Sequence, residues 1–280
     1  MGDGTDRIAI LETSLRYEPD TASFSSLLHQ ASKQEQLDAL ERIATATDLG
    51  NPKIIRENFL RKVELLTDSV APMPQMETLL VEAAAGDPAV FPILLDRVCS
   101  REKRDEALVF AAGSYRAIDQ FACGNIETLL KQHEVSDDSL FRAMEAAVIH
   151  GGVPQLETLV AYAGRRKPDL LNRETSEGGT LFERTITNRN LHIDFRDTIL
   201  NILLDAGAKP TLNVGDMDIA TALAEEAFPP PTRRKIEAAF RSEGIEMPQP
   251  ATTQFARILA PEPKVRSMTA TEESEGPRNR

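Results

Sequence analysis

Tryptophan is absent from this chain of 280 residues, and aromatic residues make up only 5% of it. A hydrophobic core must therefore come from leucine, isoleucine, valine and alanine, which suits closely packed helices better than β-sandwiches. The two cysteines, Cys99 and Cys123, are too few for a disulfide framework in a chain of this length. We therefore expect reduced thiols in an intracellular compartment, cytoplasmic or nuclear.

Long apolar runs are missing as well. No stretch approaches the ~18 residues that a membrane-spanning helix requires, and the N-terminal sequence lacks the features of a secretory signal. Positive charge is in deficit, since the formal net charge is −12 and the acidic excess lies in residues 1–245. An acidic body repels phosphate backbones. We therefore expect neither a membrane nor a nucleic acid as a direct partner.

A recurring helical pattern is what the chain does contain. The clearest stretch is 199–210, ILNILLDAGAKP, in which an aliphatic helix face ends at Asp205, a turn follows at Gly207, and Pro210 forces the chain to extend. Two short helices joined by a tight turn cannot bury both of their faces alone, so neighbouring pairs must stack. The pattern predicts an all-α fold, a helical-repeat solenoid of stacked helix-turn-helix pairs.

These pairs resemble the ankyrin repeat. Residues 26–31, SLLHQA, stand where that family has Thr-Pro-Leu-His-x-Ala, and residues 37–40 stand where its second helix begins. The apolar doublets along the chain recur at intervals that bracket the ~33-residue ankyrin period, and residues 199–210 carry the most specific match. The resemblance implies that His29 fixes the start of a first helix by hydrogen bonding. It also implies that partners bind along the inner helices and the loop tips.

We predict three regions. Residues 1–22 form an N-terminal cap or a flexible segment, 23–244 form the degenerate ankyrin-like repeat domain, and 245–280 form a disordered tail containing proline, serine, threonine and glutamate. The approximate repeat units are 24–46, 77–98, 107–132, 140–164, 180–210 and 219–244, with an extra helix at 53–67. In the third unit, residues 107–113 and 117–122 are alternatives for the first helix.

Proline and glycine predict the local details. Pro92 should kink the second helix of its unit, Gly124 should lie in a turn between helices, and Gly164 should end a helix in the left-handed conformation. Residues 188–197 are interpreted as an insertion between the helices of the fifth unit, and Gly178–Gly179 as a hairpin turn.

The sequence indicates no reaction chemistry, and we expect no enzyme activity, cofactor or metal. Cys99 and Cys123 lie beside apolar positions and are predicted to be small buried hydrophobic residues. No phosphate-binding glycine loop or nucleophile elbow is found. The histidines are too scattered for a shared metal site: His29, His133, His150 and His192.

We therefore predict a non-catalytic protein–protein interaction module or adaptor, with another protein bound on the concave helix face and loop tips. A repeat-type transcriptional co-regulator that acts through a DNA-binding partner is the alternative, and a helical enzyme of unrecognised type is a third. The candidate partner-binding residues lie at the predicted loop tips: Glu134, Asp137, Asp138, Arg165, Arg166, Lys167, Glu174, Glu177, Asp216 and Asp218.

Overall fold

The computed structural model describes residues 3–17, 20–45, 53–71, 74–114, 119–210, 219, 222–223 and 228–245. In these ranges the regular structure is entirely helical, with 13 α-helices and no strand. The prediction of an all-α fold is therefore confirmed for the described part of the chain. Apart from Ile245, the predicted tail at 245–280 lies outside it, as do Asp216 and Asp218.

Four helices at the N-terminus pack against one another: α1 (Asp3–Tyr17), α2 (Thr21–Gln30), α3 (Lys33–Ala44) and α4 (Lys53–Val70). The carboxylate of Asp20 caps α2 by accepting hydrogen bonds from the backbone of Ala22 and Ser23, at 3.0 and 3.1 Å. A capping box formed by Ser32 and Glu35 starts α3. These caps satisfy orphan backbone groups at the corners between α1, α2 and α3. The predicted extra helix at 53–67 is α4, which continues to Val70.

Nine α-helices and one 3-10 helix follow: α5 (Gln75–Ala83), α6 (Phe91–Leu95), α7 (Arg101–Gly113), α8 (Asp119–Gln132), α9 (Asp137–His150), α10 (Val153–Arg166), the 3-10 helix Pro168–Asn172, α11 (Leu181–Thr187), α12 (Ile193–Asp205) and α13 (Pro230–Ser242). Their contacts follow the chain in two rows. In the first row α5 packs on α7, α7 on α9 and α9 on α11. In the second row α6, α8, α10, α12 and α13 contact one another in that order. Consecutive helices also pair across the rows, as α5 does with α6.

The stretch that was most informative in the sequence has the expected local structure. Helix α12 ends at Asp205, and Gly207 adopts a φ of 91°. The N–H of Ala208 donates to the carbonyl of Leu203 at 2.9 Å, and that of Gly207 donates to Leu204 at 3.0 Å. This pair of hydrogen bonds closes the helix end in the way that a left-handed glycine allows.

One continuous core joins both parts of the described chain, from Ile8 to Phe240. Leucine, isoleucine, valine and alanine supply most of it, as the shortage of aromatic residues predicts. Some of the phenylalanines also lie deep in this core. Phe182 of α11 and Phe240 of α13 are both buried, and their ring centroids lie 6.1 Å apart in a tilted arrangement.

Two amide side chains, one buried and one half-buried, cover helix ends across the stack. Nδ2 of Asn125, in α8, donates to the carbonyls of Ala84 and Gly86 at 3.0 Å, just beyond the end of α5. Nδ2 of Asn188 donates to the carbonyl of Ile149 at 3.1 Å, in the last turn of α9. Buried carbonyls without a partner are costly, so these amides stabilise the two helix ends from the following helix pair.

Three predictions about proline and glycine are wrong. Pro92 does not kink a helix, because α6 begins at Phe91 and proline is well tolerated in a first turn, where no N–H is needed. Gly124 lies within α8, where an added Cβ would approach Cβ of Pro88 to 3.3 Å, so close packing is its role. Gly164 is helical, and α10 continues to Arg166 before Pro168. In the same predicted unit, the glycine that ends a helix in the left-handed conformation is Gly151, at the C-terminus of α9, with a φ of 77°.

Two helix boundaries also differ from expectation. His29 lies in the last turn of α2, with its Nδ1 2.7 Å from the carbonyl oxygen of Ser25, and it does not start a helix because Asp20 caps α2 nine residues earlier. The insertion predicted at 188–197 is shorter, since α12 begins at Ile193 with His192 as its N-cap. In the third unit, residues 107–113 form the last part of α7. Gly178 and Gly179 both have positive φ, as their predicted turn requires, although no strands flank them in the described residues.

Candidate functional site

A groove of about 630 Å³ crosses the first-row helices α5, α7 and α9. Val81, Val109 and Phe110 supply its apolar surface, and none of its lining residues belongs to a second-row helix. Charged side chains line the groove as well: Arg101, Glu102, Asp105, Glu106 and Arg142. Protein-binding surfaces commonly combine apolar and aromatic side chains with arginine and other polar groups.

Phe110 is the most unusual residue in the groove. Helix α7 turns Ala107, Leu108 and Ala111 into the core, which leaves Phe110 on the opposite side with 39% of its surface exposed. The sequence did not reveal this, because residues 107–112 are all apolar and show no helical periodicity. A large aromatic side chain at the surface of a groove is a typical anchor for a partner.

The charges of the groove differ in whether they are already paired. Nζ of Lys103 donates to Glu106 at 2.7 Å, and this hydrogen bond raises the pKa of Lys103. Asp105 accepts a hydrogen bond of 2.8 Å from Oγ of Ser136, in the α8–α9 connection. Among the described residues, the guanidinium groups of Arg101 and Arg142 have neither a hydrogen bond nor an ion pair. Two exposed cations in the groove therefore remain available to acceptors on a partner.

Beyond the groove, a charged cluster connects α9 with α11. Nη2 of Arg173 donates to Oδ1 of Asp138 at 2.8 Å in an ion pair, and its guanidinium lies 4.9 Å from the ring centroid of Phe141. Glu177 forms an ion pair with Arg184 of α11. Burial raises the pKa of Glu145, although Arg184 opposes the shift. These pairs attach the segment 173–179 to the first-row helices next to the groove.

The predicted partner-binding residues divide into two groups. Lys167 and Asp137 form an ion pair, which places them beside Asp138 and the start of α9. Glu177 and Glu174 are exposed on the attached segment, and Glu134 is exposed before α9. Arg166 is separate, since its Nη1 donates to the hydroxyl of Tyr162 at 2.8 Å on the second-row helix α10. The side chain of Arg165 lies outside the described residues, as do Asp216 and Asp218.

Outside this surface, the cysteine prediction needs correction. Cys99 is exposed, because it lies in the connection after α6 and not on a buried helix face, whereas Cys123 is half-buried in α8. Neither forms a disulfide. In the described ranges no group of three or more histidine, cysteine, aspartate or glutamate side chains is arranged to hold a metal ion.

Neither a protein-family model, nor a curated protein, nor a solved structure matches the chain significantly. Within the described residues, no helix is both long and apolar enough to cross a membrane.

Proposed function

We propose that the chain is a protein-binding module built as an ankyrin-like solenoid, with its partner on the first-row helices. The order of contacts supports this architecture, because each helix of a row contacts its neighbours in that row and pairs with the next helix of the chain. The amides of Asn125 and Asn188 support it further, since each joins one helix pair to the pair before it. Stacked pairs of this kind present extended binding surfaces.

The half-exposed Phe110 is the observation that carries the binding proposal. It lines the groove together with Val81 and Val109, and so do Arg101 and Arg142, whose guanidinium groups have no partner among the described residues. Interface hot spots are enriched in aromatic side chains and arginine. A partner that inserts an apolar side chain against Phe110, and offers carboxylates or carbonyls to the arginines, would fit the groove. The proposed activity is binding without turnover.

Cys99 and Cys123 form no disulfide, which is in keeping with a reducing, intracellular setting. We place the module there as part of the proposal, in the cytoplasm or the nucleus. The exposed residues Asp137, Asp138 and Glu177 would lie at the edge of the bound partner. Charges at an interface edge mainly affect the association rate and selectivity, so the groove would supply most of the affinity.

Affinity capture with a matched pair of variants tests the proposal. Phe195 of α12 has the same exposed fraction as Phe110, 39%, but does not line the groove. Wild type, Phe110→Asp and Phe195→Asp are used as baits, and captured proteins are identified by mass spectrometry. A partner lost with Phe110→Asp and kept with Phe195→Asp supports the proposal. For such a partner, Phe110→Ala should weaken binding by about 30-fold, the loss of a hot-spot side chain.

One result would count against the proposal. If the Phe110→Asp variant is folded by circular dichroism and captures the same proteins as wild type, the interface lies elsewhere and the groove is not the binding site.

A further inference from the structure

Arg104, in the first turn of α7, connects this helix to the segments that follow α6 and α8. Its Nε and Nη2 donate to the carbonyl of Val98 at 2.9 and 2.6 Å, in the segment that follows α6. Its Nη1 lies 2.7 Å from Nδ1 of His133, directly after α8. Because a guanidinium group can only donate hydrogen bonds, Nδ1 of His133 must accept. The imidazole is therefore neutral, with its proton on Nε2.

The surroundings of His133 keep it neutral. Burial lowers the pKa of His133 and the charge of Arg104 lowers it further, while Asp96 opposes both. A small cavity beside the imidazole brings three more charged groups towards it: Arg101 and Asp105 from α7, and Glu134 from its own segment. Nε2 of His133 is buried and has no hydrogen-bond partner in the described residues. A protonated His133 would thus have a buried Nε2–H without an acceptor in the described residues, and a second N–H, at Nδ1, that faces Arg104.

We propose that the contact between Arg104 and His133 is an acid-sensitive joint between α7 and the α8–α9 connection. When His133 takes up a proton from solvent, Nδ1 becomes a donor, the hydrogen bond from Arg104 is lost, and two cations face each other. The connection containing His133 then separates from α7. The same connection holds Asp105 through Ser136 at 2.8 Å, and Asp105 lines the groove. Protonation therefore alters one wall of the groove, whether or not a partner binds there.

The protonation state is tested by NMR on the full chain labelled with ¹⁵N-histidine, with a pH titration of the four imidazoles. His133 is assigned by the loss of its signals in His133→Asn. We expect the Nε2–H tautomer and a pKa below the ordinary histidine value. Observation of the Nδ1–H tautomer, or of a pKa at or above the ordinary value, would overturn the proposal.

The opening of the joint is tested by hydrogen exchange of residues 129–136, corrected for the intrinsic pH dependence of exchange. In wild type, exchange should rise at least about tenfold as pH falls through the pKa of His133, since a hydrogen bond to a charged group is lost. His133→Asn keeps an acceptor near the position of Nδ1 and does not titrate, so its exchange should stay slow across the range. His133→Leu has no acceptor and should exchange quickly at every pH.

A control separates this joint from general acid effects. His192→Asn replaces an exposed histidine at the start of α12 and should keep the wild-type response. If wild type shows no acid-induced rise, or if His133→Asn shows the same rise as wild type, the joint does not exist. The wild-type and His133→Asn measurements decide the matter even if His133→Leu fails to fold.

Discussion

Replacing Asn125 should destabilise the fold far more than its size suggests. The side chain is fully buried in α8, and its Nδ2 donates to the carbonyls of Ala84 and Gly86, with the carbonyl of Ala83 at 3.5 Å. In Asn125→Ala these carbonyls lose their donor, at a cost of about 1–3 kcal/mol for each buried group left unpaired. We expect the free energy of unfolding to fall by at least ~2 kcal/mol.

The assay is urea unfolding followed by far-ultraviolet circular dichroism, because the chain has no tryptophan to report by fluorescence. Asn190→Ala is the matched control, since it removes an exposed amide and should change stability by less than ~0.5 kcal/mol. Hydrogen exchange should locate the effect of Asn125→Ala at residues 83–86. A loss below ~0.5 kcal/mol would show that the amide does not hold the end of α5, and would refute the reasoning.

Asn125→Asp sharpens the test, because it keeps the shape and replaces the donor by a carboxylate that faces carbonyl oxygens. Burial and this repulsion should raise the pKa of the new side chain in the folded state above its value in the unfolded chain, ~3.9. A raised carboxyl pKa means that stability falls as pH rises through the unfolded value. The variant should therefore be less stable than Asn125→Ala at neutral pH and recover part of the difference in acid, where the protonated carboxyl can donate.

The glycines and Glu145 give further predictions. Gly86→Ala should destabilise the fold by several kcal/mol, because the added Cβ would lie 2.0 Å from the carbonyl oxygen of Ala44, a backbone atom that cannot turn aside. Gly164→Ala should instead stabilise the fold by up to ~1 kcal/mol, because this helical position has no atom within 4 Å of the added Cβ. The reverse order of the two variants in thermal unfolding would contradict both assignments. Glu145→Gln should stabilise the protein at neutral pH, because burial raises the pKa of Glu145 and the charged form is disfavoured in the fold. That gain should shrink as pH falls through the raised pKa, where the wild-type carboxyl is itself protonated, and a gain that is constant between pH 4 and pH 8 would contradict the assigned cause.

The sequence predicted best where helical periodicity was clear. At 199–210 the aliphatic face, the glycine and the proline each indicate the same helix end, and α12 with Gly207 confirms it. Gly124 and Gly164 misled because glycine has several uses: Gly124 permits close packing against Pro88, and Gly164 is simply tolerated in a helix. The prediction for His29 is wrong because Asp20 lies nine residues earlier and is a stronger helix-start residue, whose carboxylate caps α2.

Neither the groove nor the joint could be predicted from the sequence, and the reasons differ. Phe110 lies in an unbroken apolar run, so no pattern distinguishes its exposed face from the buried faces of Leu108 and Ala111. Arg104 and His133 are 29 residues apart and meet only because α7 packs on α8. The predicted loop-tip residues are all charged, and the sequence does not show that some of them are paired within the fold, as Lys167 is with Asp137.

The direction in which these two amides reach has a consequence for biosynthesis. Asn125 and Asn188 both come later in the chain than the carbonyls they cover, by about 40 residues. During translation, the carbonyls of Gly86 and Ile149 therefore leave the ribosome without these donors, and they receive them only when the following pair has been made. A pause in synthesis before either asparagine would leave an unfinished edge open to chaperones, so nascent-chain folding should advance in steps of one helix pair.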